Sequence, residues 1–326
     1  MHRPSQVALI RFGRATASIV VLGLCMSFLP LGLVVLMPFV VLSCAHLVVQ
    51  GGLGRGLASA IVAGVLIGVV AGVGMAAAVF LVALGVGGVL GEAVRRQWPF
   101  GRALAATASA ALVALVLWGV TLWQVLGLDP TALREAAFDS IEHATELYVQ
   151  AGVSAGTTET VSGQMQQLVG VLPYVAPGLL GMGVILLAAC CIGLAYWLFP
   201  RLRDTVEVRM GLSRFRMHWS VAYLSIAGLA LLLVYGGGGG WRTAMLYSGL
   251  NLLLVSQTLF FLQGLGVVHW FVKTRQVRPG ARAASYIIAL FGQVFLQLTG
   301  LLGLFDTWLD CRKRFALEGP RSGSLR

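Results

Sequence analysis

Six side chains that can exchange hydrogen bonds sit inside runs otherwise suited to lipid. Asn251, Gln257, Gln263 and His269 lie in the apolar residues 243–272, and Gln293 and Gln297 in the apolar residues 283–305. Each amide carries two donors and an acceptor, and a neutral imidazole carries one of each. That inventory suits recognition of a small polar or aromatic solute, which makes these six the candidates for lining a solute cavity. It offers no nucleophile beside a base, so no enzymatic chemistry is expected.

Polar atoms at membrane depth must face protein or water, so the six should point into the bundle. On a helix, Tyr247, Ser248, Asn251, Thr258 and His269 fall within about 100° of one another, while Gln257 and Gln263 point elsewhere. Tyr286, Gln293, Gln297 and Gly300 share a second face, and His46 and Gln50 add polar groups to an earlier segment. The competing reading is that such groups are glue between helices, where a hydrogen bond contributes only about 0.6 kcal/mol on average. Acidic and basic residues are expected to be absent from mid-membrane depth, which argues against a proton pump or ion channel.

The elements that hold these residues are set by composition. Of 326 residues, 58% are hydrophobic and 11% charged, and the mean hydropathy is +0.88. Soluble domains carry about 25% charged residues. The sequence therefore predicts an all-α, polytopic transmembrane helical bundle of about 8–9 spans, with lipid as its first partner. Nine apolar segments run roughly over 15–29, 31–49, 57–73, 75–94, 103–126, 172–198, 219–235, 243–272 and 283–305. The first two meet near Pro30, as a short hairpin or as one broken helix.

The net charge of +11 comes from arginines in the loops between apolar segments, not from a patch on a soluble surface. Nucleic acid is not an expected partner, and the pattern is the positive-inside bias of a cell inner membrane protein. Arg3, Arg11 and Arg14 place the N-terminus in the cytoplasm. Arg95, Arg96 and Arg102 mark a second inner loop, Arg201, Arg203, Arg209, Arg214 and Arg216 a third, and Lys273, Arg275, Arg278 and Arg282 a fourth. One conflict remains. Nine crossings would put the basic run DCRKR (310–314) outside, unless 283–305 is re-entrant or the count is wrong by one. The chain reads as one integral membrane domain over 1–326, with a cytoplasm-type basic tail at 312–326 and an extracytoplasmic insertion at 127–171, whose sole basic residue is Arg134.

That insertion opens on an N-cap, Asp129, with Pro130 at the first helical position. Leu133, Ala137, Ile141, Ala144 and Tyr148 then recur on one face, opposite Glu135, Asp139, Glu142 and Glu146. This predicts an amphipathic outer helix whose acidic stripe is a solvated face or, less simply, a cation site. The following AGVSAGTTETVSGQ (151–164) reads as a small-residue, flexible linker.

Other motifs carry less. The third segment spaces Gly64, Gly68 and Gly72 four apart, and the next repeats the spacing at Gly87 and Gly91. These faces allow close approach, either inside the bundle or against a partner membrane protein. GVGGVLG (85–91) lacks the third glycine of a dinucleotide fingerprint and has no strand before it. GVSAG (152–156) matches the letters of a nucleophile elbow without strand, turn or oriented base. Cys25, Cys44, Cys190, Cys191 and Cys311 have no metal or redox spacing, so no cofactor is expected. Arg3, Arg11 and Arg14 precede an apolar run too long for a signal peptide, and cleavage is not expected. The five-glycine run Gly236–Gly240 followed by Trp241 suggests a free outer turn with an interfacial anchor.

FRMHW (215–219) before a span, NLLLVSQTLFFLQGLGVV (251–268) and GLFDTWLDCRKRF (303–315) together resemble the YybS-like family of bacterial polytopic membrane proteins (domain of unknown function 2232). The resemblance is strongest over 200–315. More distantly the family is similar to the S-components of energy-coupling-factor transporters, which implies a solute pocket near the outer face and docking on a transmembrane partner. Function then reads as transporter-like, binding a small polar or aromatic solute. The alternative is a membrane scaffold that recruits proteins through its glycine faces and basic loops.

Overall fold

The computed structural model describes residues 3–28, 32–127, 129–152, 154–198, 211–234 and 241–313. Among these residues there are helices and turns and no strand. Helices α1 (Arg3–Phe28), α2 (Gly32–Gly51), α3 (Leu53–Ala71), α4 (Val73–Arg95) and α5 (Phe100–Leu126) form the first half. Then follow α6 (Pro130–Gln150), α7 (Ala155–Leu198), α8 (Ala222–Val234), α9 (Arg242–Thr274), α10 (Pro279–Leu296) and α11 (Leu298–Leu309). Five of these elements, α3, α4, α5, α7 and α9, are long and apolar enough to cross a membrane alone. Shorter apolar helices at Phe12–Ser27, Val35–Gly51 and Trp219–Val234 add to them. Pro30, Arg201, Arg203, Arg209, the glycine run 236–240 and residues 314–326 lie outside the described residues.

The first two segments are a hairpin of two helices, because Ser18 Oγ donates to Ser43 Oγ at 3.0 Å across the pair. Thr16 makes the same kind of contact to Ser59 on α3. Otherwise this half packs by small residues. Ala60, Ala63, Ile67, Val79 and Ala83 are fully or almost fully buried together with Ile19 and Val40. Within α4, a π turn at Val82–Gly87 rotates the glycine face onto α2. A methyl group on Gly87 would stand 2.7 Å from the Val41 carbonyl, and one on Gly91 2.8 Å from that of Ala45. Gly64 and Gly68 face Phe80 and Ala76 within the same bundle. A methyl on Gly72 would meet no described atom within 4 Å, and its φ of 84° makes the break between α3 and α4. The Trp118 indole of α5 donates to the nearby Gly74 carbonyl at 3.0 Å.

The 127–171 stretch is more helical than its composition suggests. Asp129 caps α6 by accepting from the Thr131 N–H, as its position predicts. Ala137, Ile141 and Ala144 are half-buried, and α6 packs against α7. Tyr148 is exposed, so the apolar face ends before it. The linker reading of 151–164 is corrected: α7 begins at Ala155 and runs on through Pro173 and Pro177 to Leu198. Ser154 explains the start, since its hydroxyl meets Thr157 Oγ1 at 2.8 Å and accepts from the Thr157 N–H, as a helix cap does. Among the described residues no three His, Cys, Asp or Glu side chains gather as a metal site requires, the acidic stripe of α6 included.

Around α9 the second half is assembled: α7, α8, α10, α11 and the turn Leu212–Arg214 all pack on it. The last apolar segment is broken, and α10 and α11 meet at Gln297 with a 99° bend. Register along α9 decides the topology. Tyr286 meets His269, Gln297 meets Gln257, and then Asp306 meets Gln263. A methyl on Gly266 would lie 3.3 Å from Arg312. So α10 climbs to the middle of α9 and α11 slants back: the pair is re-entrant. Arg216 pairs with Asp310 at 2.8 Å, which puts the end of the described chain beside the arginine-bearing 211–218 segment. The conflict over the basic run 310–314 disappears for its described residues.

Candidate functional site

The six polar candidates divide into two groups. Gln257, Gln293 and Gln297 converge at the re-entrant tip. Gln257 stands midway between Arg242 and Thr274 on α9, and its Nε2 donates to Gln297 Oε1 at 2.7 Å. Gln297 holds the bend with φ 53°, a left-handed conformation that lets the backbone turn sharply. Gln293 spends its Oε1 on the Gly300 N–H at 2.8 Å, one of the donors that the start of α11 leaves unsatisfied. The glutamines thus build the tip as well as line it.

Beside them is a cleft of about 850 Å³ between α7, α8, α9 and the re-entrant pair. Its other walls are apolar, among them Leu229, Leu253, Phe261, Leu290 and Leu301. Ser225 and Thr258 also line it but are spent, donating to Ser256 Oγ and to the Leu254 carbonyl, both at 2.7 Å. Among the described residues no Asp, Glu, Lys, Arg or His lines it. The second end of each of the three amides meets no protein partner among the described residues. Exchanging O and N in both members of the Gln257–Gln297 pair leaves the same inventory, one donor group and one acceptor unspent.

Asn251, Gln263 and His269 lie elsewhere, each bridging a different pair of elements. Asn251 donates to the Tyr174 carbonyl and accepts from the Gly178 N–H, both at 2.8 Å. Those two groups are a helical i, i+4 pair on α7 next to Pro177, so the amide clamps α9 onto a proline-weakened turn. Gly178 makes this possible, because a methyl there would sit 2.5 Å from Asn251 Oδ1. Stacking of Tyr174 on Tyr247, with centroids 4.8 Å apart, extends the clamp. His269 Nδ1 meets the Tyr286 hydroxyl at 2.6 Å and ties α9 to the base of α10.

Gln263, 1% exposed, joins a buried network that the sequence reading missed. Its Oε1 accepts from the Met217 N–H at 3.2 Å and its Nε2 donates to Asp306 Oδ2 at 3.3 Å. Arg312 stands 3.3 Å from the same carboxylate oxygen and donates to the Ser213 carbonyl. Asp306 and Arg312 are 5% and 4% exposed, so the bundle holds a buried ion pair, on the Thr274 side of Gln257. The signal was present, since Asp306 follows the apolar run 283–305 directly. A window ending at Phe305 passed over it.

The family model for predicted membrane proteins designated DUF2232 matches residues 17–307. The chain belongs to that family. Neither a curated protein nor a solved structure matches this DUF2232 protein. The family name fixes a membrane protein whose function is unknown, and the matched range takes in α10, most of α11 and every glutamine of the cluster.

Proposed function

We propose that this DUF2232 protein is a transporter-like, non-enzymatic protein of the bacterial inner membrane that binds a small solute in the cleft at the re-entrant tip. One observation carries the reading: three glutamines from two helices and a bend converge at the middle of α9, each with an unspent amide end. In lipid an unpartnered amide costs about 1–3 kcal/mol, and a solute that meets these ends recovers that cost. Gly64, Gly68, Gly87 and Gly91, which the scaffold alternative needs as outward docking faces, are turned toward neighbouring helices of the same chain.

Native mass spectrometry of protein extracted gently from its own membrane tests the reading. A reproducible small-molecule adduct that is lost in Gln257→Leu/Gln297→Leu, with the protein still folded, is the expected result. An adduct that persists in the double variant, or no adduct, overturns it. We further propose a cytoplasmic N-terminus, supported by the arginines at the 95–102 and 211–218 connections and the ion pair joining Asp310 to that end. In intact cells a membrane-impermeant thiol reagent should label Gly152→Cys and not Lys313→Cys, each in a background lacking the native cysteines; the reverse pattern overturns the orientation.

A further inference from the structure

We infer that the cleft takes a neutral amphipath that enters sideways from the bilayer: a molecule with a long hydrocarbon part and an uncharged head that offers at least one hydrogen-bond donor and one acceptor. The inference rests on the solute-binding reading above and specifies its ligand class. Depth is the first argument. Gln257 is halfway along α9, roughly 23–25 Å from either end at 1.5 Å per residue. A hydrocarbon core about 30 Å thick therefore places the glutamines near its centre.

The second argument is the mouth. Val294 is 76% exposed and Leu229, Leu290 and Leu301 are exposed as well, all of them lining the cleft. At that depth, exposure means contact with acyl chains. Tight contacts flank the cleft along α9 on both sides. Toward Arg242, Asn251 is clamped to α7, and Gly249 lies against Gly228 so closely that a methyl on it would meet the Gly228 carbonyl at 2.9 Å. Toward Thr274, Gly264 and Gly303 bring α9 and α11 into backbone contact, and the Gln263–Asp306–Arg312 network lies beyond. The side that faces the bilayer is where the exposed lining residues lie.

The third argument is chemical. The lining holds no ionisable residue among the described residues, and an unpaired charge at mid-membrane is expensive, so the head must be neutral. Yet the head must be polar. The Gln257–Gln297 pair leaves one donor group and one acceptor, and Gln293 adds a third amide end. A hydroxyl, an ester or an amide meets those ends, whereas a plain hydrocarbon leaves them unpaired. Long-chain alcohols, monoacylglycerols and N-acyl amides have the required form.

Photolabelling of the full chain in proteoliposomes tests this. The probe is a monoacylglycerol with a diazirine in its acyl chain; the comparison probe is the matching diazirine fatty acid, whose head is charged. Monoacylglycerol label should saturate, concentrate on peptides covering 250–261 and 290–301, and yield to unlabelled monoacylglycerol but not to glycerol. In Gln257→Leu/Gln297→Leu its apparent affinity should fall by about tenfold, the size of two hydrogen bonds of the kind made between membrane helices. Competition in the unaltered protein gives the same answer even if the double variant fails to fold. Label spread evenly over lipid-facing helices such as α3 overturns lateral entry, and equal saturable labelling by the fatty acid overturns the neutral head. A water-soluble adduct that depends on the glutamines, together with even lipid labelling, leaves the solute-binding reading standing and removes this one. Absence of both removes both.

Discussion

Helices α2, α3 and α4 touch through Gly64, Gly68, Gly87 and Gly91, whereas α7 to α11 touch through amides, hydroxyls and a buried ion pair as well as glycines. In the first half the polar contacts between helices are two hydroxyl pairs, Thr16 with Ser59 and Ser18 with Ser43, and single bonds from Trp118 and Cys44 to backbone carbonyls, beside close van der Waals contact. In the second half Asn251, Gln263 and His269 each reach a different element. Small residues let backbones approach without specifying a partner atom, while an amide in lipid needs a donor and an acceptor at set positions. The first half is therefore built for packing. The second is tied at named points, and at the re-entrant tip the ties stop short of using every group.

The contrast is tested most severely at the ion pair. Asp306→Ala strands the Arg312 guanidinium in the bundle, and a loss of about 3–5 kcal/mol in unfolding free energy is expected. Asp306→Leu with Arg312→Leu should recover much of it; if the double variant is as unstable as the single, the charge itself is needed. A methyl on Gly264 would lie 1.8 Å from the Thr299 carbonyl, so Gly264→Ala should cost about 3 kcal/mol. Gly68→Ala, where the nearest atom is the Ala76 methyl at 3.3 Å, should cost well under half as much. Reversal of that order would mean that the first half is the tighter one.

Asn251→Leu removes both arms of a clamp and should lose about 1–2 kcal/mol, measured by unfolding in mixed micelles. Gln257→Leu should change stability by about 0.6 kcal/mol or less, because the glutamine is only half satisfied, while ligand adducts weaken. That separation of stability from binding marks the line between clamp and cleft.

The smallest expected effect is one of pH. Lys313 and Arg216 hold the Asp310 carboxyl below its ordinary range. A depressed folded value means that the ion pairs stabilise above the unfolded carboxylate value and lose that contribution as pH falls through the folded one. The stability gap between the native protein and Asp310→Asn should therefore be present at neutral pH and close in acid. A gap that persists in acid would show that Asp310 acts through packing instead.

Some of this was written in the order of residues alone. Runs of apolar residues too long for a soluble core impose helices, because lipid offers backbone N–H and C=O groups no partner outside the helix. Asp129 and Pro130 announce the start of α6, since cap chemistry is local. Residues 151–164 misled because glycine and threonine weaken a helix in water, whereas here packing of α6 on α7 and the Ser154 cap hold it. Hydropathy likewise registers the segment around Gln297 as one apolar run and cannot register a turn inside it.

The sequence by itself determined that this is a helical membrane protein, where its helices largely lie, and that its interior must contain amides in search of partners. Only the tertiary structure decided which amides found them. Asn251, Gln263 and His269 met groups on other elements, Gln257 and Gln297 met each other at a bend, and Gln293 met the Gly300 N–H beside them. Helical spacing places a side chain on a face, but hydrogen bonds extend only about 3 Å. Partnership at that range depends on how α7, α10 and α11 are laid against α9, which no single helix encodes.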